Sequence, residues 1–306
     1  GDHRDLHKEY RRQRQMCIID SVYIPAYSVL ACGRYDETRE IFSDWERFVS
    51  SRGVGLQDFS LEKPWRPHSI VLEVDPPYHT KTRAVIERAL SPTAVRNLTN
   101  SFREDAEKLI DELLEKGTFD AVEELAEIYP TTVFPKAVGL QRIDRKRLLD
   151  YGEIVFSAMG PNNKLRSNAM VKSPDIVPWI MEQCQREQLD PEGFGATIYA
   201  GADAGDITTE EAGLLVRSLL SAGVGTTVTA LGSAIWCLAN NPEQFQIMKS
   251  DQSLPIWTFE ETLRYTSPIH THCRTASKDT EVGGVKIEEG SKICLLYTSP
   301  SPRDGL

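Results

Sequence analysis

The run at residues 208–239 constrains this chain more than any other segment. Its body, LLVRSLLSAGVGTTVTALGSAIWCLA, is apolar nearly all round. A helix without a polar face has to be buried, so the run predicts a central helix with other elements packed around it. Thr208 and Glu211 have capping-box spacing at its start, and Pro242 marks its end. At 1.5 Å per residue such a helix is on the order of 45 Å long, enough to cross a whole domain. Arg217 and the Ser, Thr and Gly residues inside it place it below the hydrophobicity expected of a membrane span.

The flanking segments read the same way. Leu98, Phe102, Leu109, Leu113 and Leu114 fall on one helical face, with Gly117 where a C-cap belongs. Further helices are expected at residues 144–159, ended by Pro161, and at 257–265. Earlier in the chain a short polar helix is expected at residues 7–15. Strand-like runs CIIDSVY and YSVLAC follow, then a helix at 36–42. The Gly-, Pro- and Trp-rich stretch SSRGVGLQDFSLEKPWRP is irregular, a candidate lid or pocket wall. TEVGGVKI alternates around Gly283-Gly284, as a hairpin does. The fold class is therefore mainly α with a minor β region. With no internal repeat or low-complexity linker, one contiguous domain is expected over residues 1–293.

Acidic residues exceed basic ones, 45 to 35, which disfavours nucleic acid or an anionic membrane as a partner. The local basic run Arg11, Arg12 and Arg14 reads as a solvated helix face. The first residues lack the apolar region of a secretory signal, and the chain does not begin with Met. Its cysteines (Cys17, Cys32, Cys184, Cys237, Cys273 and Cys294) are dispersed with no CxxC pair. That argues against a disulfide framework or a zinc site and for a reducing, cytoplasmic setting, where the sequon Asn97-Leu98-Thr99 carries no meaning.

Chemistry concentrates in the central run. Gly223 and Gly225 precede Thr226 and Thr227. Glycine in a helix interior costs roughly 1 kcal/mol against alanine, so the pair marks either a distortion beside a ligand or a small-residue packing seam. A following Thr can give its hydroxyl to a broken helical hydrogen bond or to that ligand. Glu261 and Arg264 have the i,i+3 spacing of an ion pair, common on any surface helix. Order gives it weight: the pair follows the Gly-Thr helix, precedes Ser267-Pro268, and leads to Arg274 at the start of the β region.

In that order these features resemble the cytochrome P-450 family of heme-thiolate monooxygenases. AGVGTT resembles the family's oxygen-binding motif, with Gly223, Gly225 and Thr226 at the catalytic positions, and EETLR resembles its structural ExxR, carried here by Glu261 and Arg264. PPYHTKTR resembles the helix whose cations meet the heme carboxylates. The resemblance thus implies heme b bound through His79, Arg83 and Arg274, residue types suited to charge-assisted hydrogen bonds. It spans about Tyr10 to Ile293. SSRGVGLQDF, EKPWRP and LLVRSLLSAG further resemble bacterial members that oxidise para-substituted benzoic acids, such as 4-methoxybenzoate O-demethylases. This likeness implies that Arg66, Ser69, Arg217 and Ser218 hold a substrate carboxylate, with Leu72, Phe156, Met159 and Ile269 lining the apolar pocket. Arg217 supports it independently, because a guanidinium on a buried helix needs an anion, either a substrate or a protein carboxylate. Dioxygen is the co-substrate so implied, with electrons from NAD(P)H through a ferredoxin and ferredoxin reductase.

The sequence departs from the family in places. Gly225 stands where the family has an acidic residue that helps deliver protons to bound dioxygen, so slower or leakier oxygen activation is expected unless water or Thr226 substitutes. His272 and Cys273 replace aromatic residues of close relatives. The heme-binding pattern FGxGxHxCxG, whose cysteine ligates the iron, appears nowhere in these residues, so no metal ligand is assigned. The fold expected is thus a P-450 fold without its C-terminal cysteine loop and last helix. The segment 294–306 reads as a non-native or frameshifted tail. The competing expectations are a catalytically dead, heme-free fragment that at most binds an acid or partner, and a purely structural helical protein.

Overall fold

A computed structural model describes residues 22–296; the expected helix at 7–15, the Arg11–Arg14 run and most of CIIDSVY lie outside them. The chain divides into two compact units. A helical unit comprises residues 65–71 and 77–264, and a sheet unit takes in the described residues on either side together with 72–76.

Within the sheet unit, strands β1 (Val22–Ile24), β2 (Val29–Cys32), β3 (Phe48–Val49), β4 (Thr271–Ala276) and β7 (Lys292–Leu296) form a five-stranded sheet in the order β1-β2-β7-β4-β3. Only the β2–β7 pairing is parallel. β7 does not stop at Ile293. Cys294 and Leu295 are buried sheet residues, so the expected boundary of the native fold falls inside a strand. β5 (Thr280–Val282) and β6 (Val285–Ile287) make the hairpin that Gly283-Gly284 announced. Both glycines have positive φ (57° and 81°), as a two-residue primed turn requires. One sheet face packs Cys32, Ile293 and Leu295 against Ile41 of helix α1 (Tyr35–Ser43); the other buries Val29, Cys273 and Cys294.

The stretch before Trp65 is irregular, as expected, but tied down. Asp75 accepts the Ser50 and Ser51 amides at 2.8 and 3.1 Å, and Arg52 pairs with Asp58. Burial pushes the Asp58 carboxyl up, yet Arg52 and the Ser60 donors hold it at about 2.

Lys292 is the unusual core residue of this unit. It is 7% exposed and donates to the carbonyls of Arg52 and Gly53 at 3.0 and 2.9 Å. Burial lowers its pKa from 10.5 to about 8. Between those values the unfolded chain holds a proton the folded one has released, so stability rises with pH across that window, by about 1.4 kcal/mol per unit. Lys292→Met should flatten this rise in denaturant melts taken from pH 8 upward; a parallel rise in the variant would contradict the assignment.

The helical unit contains α2 (Tyr78–Ala89), α3 (Pro92–Asn97), α4 (Thr99–Lys116), α5 (Ile128–Val138), α6 (Arg145–Met159), α7 (Lys164–Met170), α8 (Ser173–Gln183), α9 (Phe194–Asp203), α10 (Thr209–Gly223), α11 (Gly225–Asn240), α12 (Pro242–Ser250) and α13 (Leu254–Thr266). α4 ends at Gly117 as read from sequence, with φ 82°, and buries Leu109 and Leu113. Leu114, grouped with them by spacing, is instead 68% exposed, since it sits just past the edge of the packed stripe.

The expected central helix is two helices. Thr208 caps α10 in a full capping box with Glu211. The chain then breaks at Val224, φ −98° and ψ −70°, between the two glycines. Only α10 is the buried core helix; α11 buries Ala230 alone. One further expectation needs correcting: by length and mean hydropathy (1.5), Thr209–Asn240 does pass for a membrane span. Its α10 half is a core element by packing, since Ala212 through Leu220 are enclosed by α2, α5, α6, α8 and α9 residues in the core of this unit.

Candidate functional site

The site is built on the inward side of α10. Arg217 is 1% exposed and donates from Nη1 to Pro67 O and from Nη2 to His68 O, both at 2.8 Å. Arg66 lies over the Trp65 ring at 5.2 Å and donates from Nη1 to the same Pro67 carbonyl at 2.9 Å. A single acceptor therefore brings both guanidinium groups together. These carbonyl bonds fix the positions of the two guanidinium groups.

Two buried hydroxyl groups belong to the same elements as this pair. Ser69 and Ser218 are buried, with their oxygens 3.3 Å apart, and Ser218 also donates to Leu214 O. The structure thus brings together all of the residues expected to hold a carboxylate: Arg66, Ser69, Arg217 and Ser218. The bend at residues 65–71 is held on its far side by Thr82 of α2, which donates to Ile70 O at 2.5 Å.

Tyr151 belongs to this cluster and was not singled out from sequence. Its hydroxyl lies 3.0 Å from Ser221 Oγ, and its ring is buried on α6 among Leu148, Ile154 and Val155. Burial raises its pKa, while the positive charges of Arg217 and Arg66 pull the other way. The available signal was a polar-tipped residue at an inward position of an amphipathic helix.

At the break between α10 and α11 the Thr226 hydroxyl donates to Ala222 O at 2.5 Å, and Thr227 to Gly223 O at 3.1 Å. These are the threonine-to-broken-helix bonds expected there. The glycines themselves are packing sites. A Cβ on Gly223 would lie 2.1 Å from Phe134 Cε1 of α5, and one on Gly225 would meet Phe156 at 3.4 Å and the Gly152 backbone at 3.9 Å. Phe156, an expected pocket residue, therefore covers Gly225. Met159 lies one turn further along α6, half-buried.

Glu261 and Arg264 form the expected pair on α13, with bonds of 2.7 Å from Nε and Nη2. Both side chains are about half exposed, so the pair adds little stability by itself. In the sheet unit, Leu72 is 40% exposed, Ile269 half-buried, and Arg274 lies over the Phe42 ring at 4.9 Å with Nη1 on Cys273 O.

Residues 140–301, just over half of the chain, match the family described as Cytochrome P450. The chain is 48% identical over 284 residues to a protein of Rhodopseudomonas palustris named cytochrome p450 CYP199A2, covering 92% of this chain and 69% of that one. The chain belongs to the cytochrome P450 family. A steroid C26-monooxygenase of Rhodococcus jostii is 29% identical over 75% of this chain and 48% of its own length. Among solved structures, P450BioI bound to an acyl carrier protein carrying hexadec-9Z-enoic acid superposes with TM-score 0.82 at 21% identity, over 98% of this chain and 79% of that one. Cytochrome P450 CREJ, in complex with (4-ethylphenyl) dihydrogen phosphate, gives 0.73 at 25% identity, over 91% and 73%. The mostly helical architecture with its small sheets is therefore the P450 fold.

P450 enzymes use heme, and the residues here fit its carboxylates. His79 and Arg83 lie one turn apart on α2, His79 half-buried and Arg83 exposed, with Arg83 Nε donating to Glu87. The axial thiolate is another matter. Among the described cysteines, Cys184 is sealed in the core, its thiol pushed up to about 12, burial likewise raises Cys237, and Cys32, Cys273 and Cys294 lie in the sheet. The environments of Cys184 and Cys237 therefore disfavour an iron-binding thiolate.

Proposed function

We propose that this chain forms the substrate-recognition part of a P450 that hydroxylates or O-demethylates a small aromatic carboxylic acid. One observation carries the reading: Arg66 and Arg217 converge on Pro67 O, beside paired serine hydroxyls, inside a unit otherwise lined by apolar side chains. A carboxylate between two guanidinium groups gains charge-assisted hydrogen bonds that a neutral group cannot match. Ser69 and Ser218 supply further donors for its oxygens. The aromatic ring would then extend along Phe156 and Met159 toward Gly225 and Thr226. The complex of CREJ with (4-ethylphenyl) dihydrogen phosphate, an anionic para-substituted aryl ligand, supports the reading.

In this reading Arg217 sets the loop and Arg66 closes over the acid, fixing which end of the substrate faces the α10–α11 break. His79 and Arg83 would hold the heme carboxylates, and heme would supply dioxygen activation with electrons from NAD(P)H through a ferredoxin and its reductase. Thr226 holds its proton on Ala222 O and keeps its lone pairs as acceptors. Gly225 contributes no carboxylate, so proton delivery would fall to water or to Thr226.

The test is a titration of the heme-loaded protein, carrying the cysteine loop, with a panel of para-substituted benzoates. The Soret band should shift with the acids and much less with their methyl esters. Absence of a shift with every acid would remove this substrate class.

A further inference from the structure

Cys273 on β4 and Cys294 on β7 are direct cross-strand partners in an antiparallel pairing. The Cys273 amide donates outward to Val54 O at 2.7 Å instead of to β7, so the two cysteines occupy a non-hydrogen-bonded position of the ladder. At such positions the Cα atoms approach to about 4.5 Å and the side chains lie closest. That separation falls within the range a disulfide spans. Both residues are free cysteines, 2% and 8% exposed, packed with Val29 on one face of the sheet.

Their environments are unequal. Cys273 donates its S–H to the Cys294 sulfur, which raises the Cys273 thiol and lowers that of Cys294; the Thr271 hydroxyl adds a second donor to Cys294. Lys292, two residues before Cys294 and on the same face, places a cation near Cys273. A lowered, donor-stabilised thiol beside a second thiol is the arrangement of an attacking and a resolving cysteine.

We propose that Cys273 and Cys294 form a peroxide-sensitive modification site that closes to a β4–β7 disulfide. The Cys294 thiolate attacks one peroxide oxygen and the O–O bond breaks, giving a sulfenic acid and hydroxide, which takes a proton to become water. The Cys273 sulfur then attacks the Cys294 sulfur. The S–O bond breaks, and the hydroxyl leaves with the Cys273 proton as a second water. Two thiols are oxidised to one disulfide while one hydrogen peroxide is reduced to two waters. Burial selects the oxidant, since a sulfur this enclosed admits peroxide far more readily than a bulky disulfide. Cys32 is the internal control: it lies on the adjacent strand but on the opposite face, paired with Leu295.

The experiment treats the full chain with hydrogen peroxide, denatures it in N-ethylmaleimide, digests with trypsin and maps the peptides by mass. The expected product is a peptide pair joining Cys273 to Cys294 within one molecule, lost on prior reduction, with Cys32 alkylated. In Cys273→Ser, Cys294 should be captured by dimedone as a sulfenic acid. In Cys294→Ser, Cys273 should remain at least tenfold less reactive than in the parent. Recovery of both cysteines as separate alkylated peptides after excess peroxide would overturn the proposal, as would linkage only between molecules. Equal oxidation of Cys273 in Cys294→Ser would overturn the assigned order of attack.

Discussion

Arg217→Ala is expected to weaken binding of an aryl carboxylate by on the order of 100-fold or more and to destabilise the helical unit by about 3 kcal/mol. Both effects come from one geometry. Arg217 donates to the carbonyls of Pro67 and His68, and so fixes the bend that carries Arg66 and Ser69. Truncation removes the Arg217 donor from the His68 carbonyl and one of two donors from Pro67 O, worth about 1–3 kcal/mol. It also opens a cavity at a site only 1% exposed. Removing one partner of a desolvated charge pair costs about 2–5 kcal/mol of binding, and each 1.4 kcal/mol is tenfold. Arg217→Met separates the contributions, because it keeps most of the volume and loses the charge and the hydrogen bonds. It should melt above Arg217→Ala and bind the acid equally poorly. Parent-like affinity in both variants would mean that Arg217 is structural only.

Gly223→Ala should destabilise the protein by about 2–3 kcal/mol, an unusually large effect for one added methyl group. The new Cβ would lie 2.1 Å from Phe134 Cε1 and 2.3 Å from Cζ, which forces the ring or the helix to move. Phe134→Leu in the same background should recover at least half of the loss, an interaction visible in a double-mutant cycle of denaturant melts. Gly225→Ala provides the contrast: its Cβ would meet Phe156 at 3.4 Å, an ordinary contact, so stability should change little. If Gly223→Ala and Gly225→Ala behave alike, the seam against α5 is not what Gly223 provides.

That contrast shows what sequence alone could convey. Glycine and proline punctuation placed the ends of α4 and α6 and the β5–β6 hairpin, because those residues act through their own backbone. Helical spacing found the buried side of α4 but overreached at Leu114, since the width of a packed stripe depends on the neighbouring element. The glycines in the long apolar run signalled a distortion. Whether it served a ligand or a packing seam turned on Phe134 and Phe156, distant in sequence and invisible to spacing.

The substrate cluster divides in the same way. Arg217 was conspicuous as a charge on an apolar helix, and the resemblance supplied Arg66, Ser69 and Ser218. The shared Pro67 carbonyl and the Tyr151 hydroxyl needed coordinates, because backbone acceptors leave no trace in a sequence. The run around Cys294 reads as strand-like, yet the native fold was expected to end at Ile293, for a related reason. Its pattern, KICLL, is that of a strand buried on both faces, and this cannot be told from a tail of no structure until partners are known.

The central claim is that paired guanidinium groups select an aryl carboxylate. Isothermal titration of the protein with 4-methoxybenzoate and with 4-methoxybenzamide tests it most directly, since the two ligands share a shape and differ in charge. The acid should bind at least tenfold more tightly, and Arg66→Ala should erase most of that preference. Equal affinity for acid and amide, or a preference that survives Arg66→Ala and Arg217→Met alike, would contradict it.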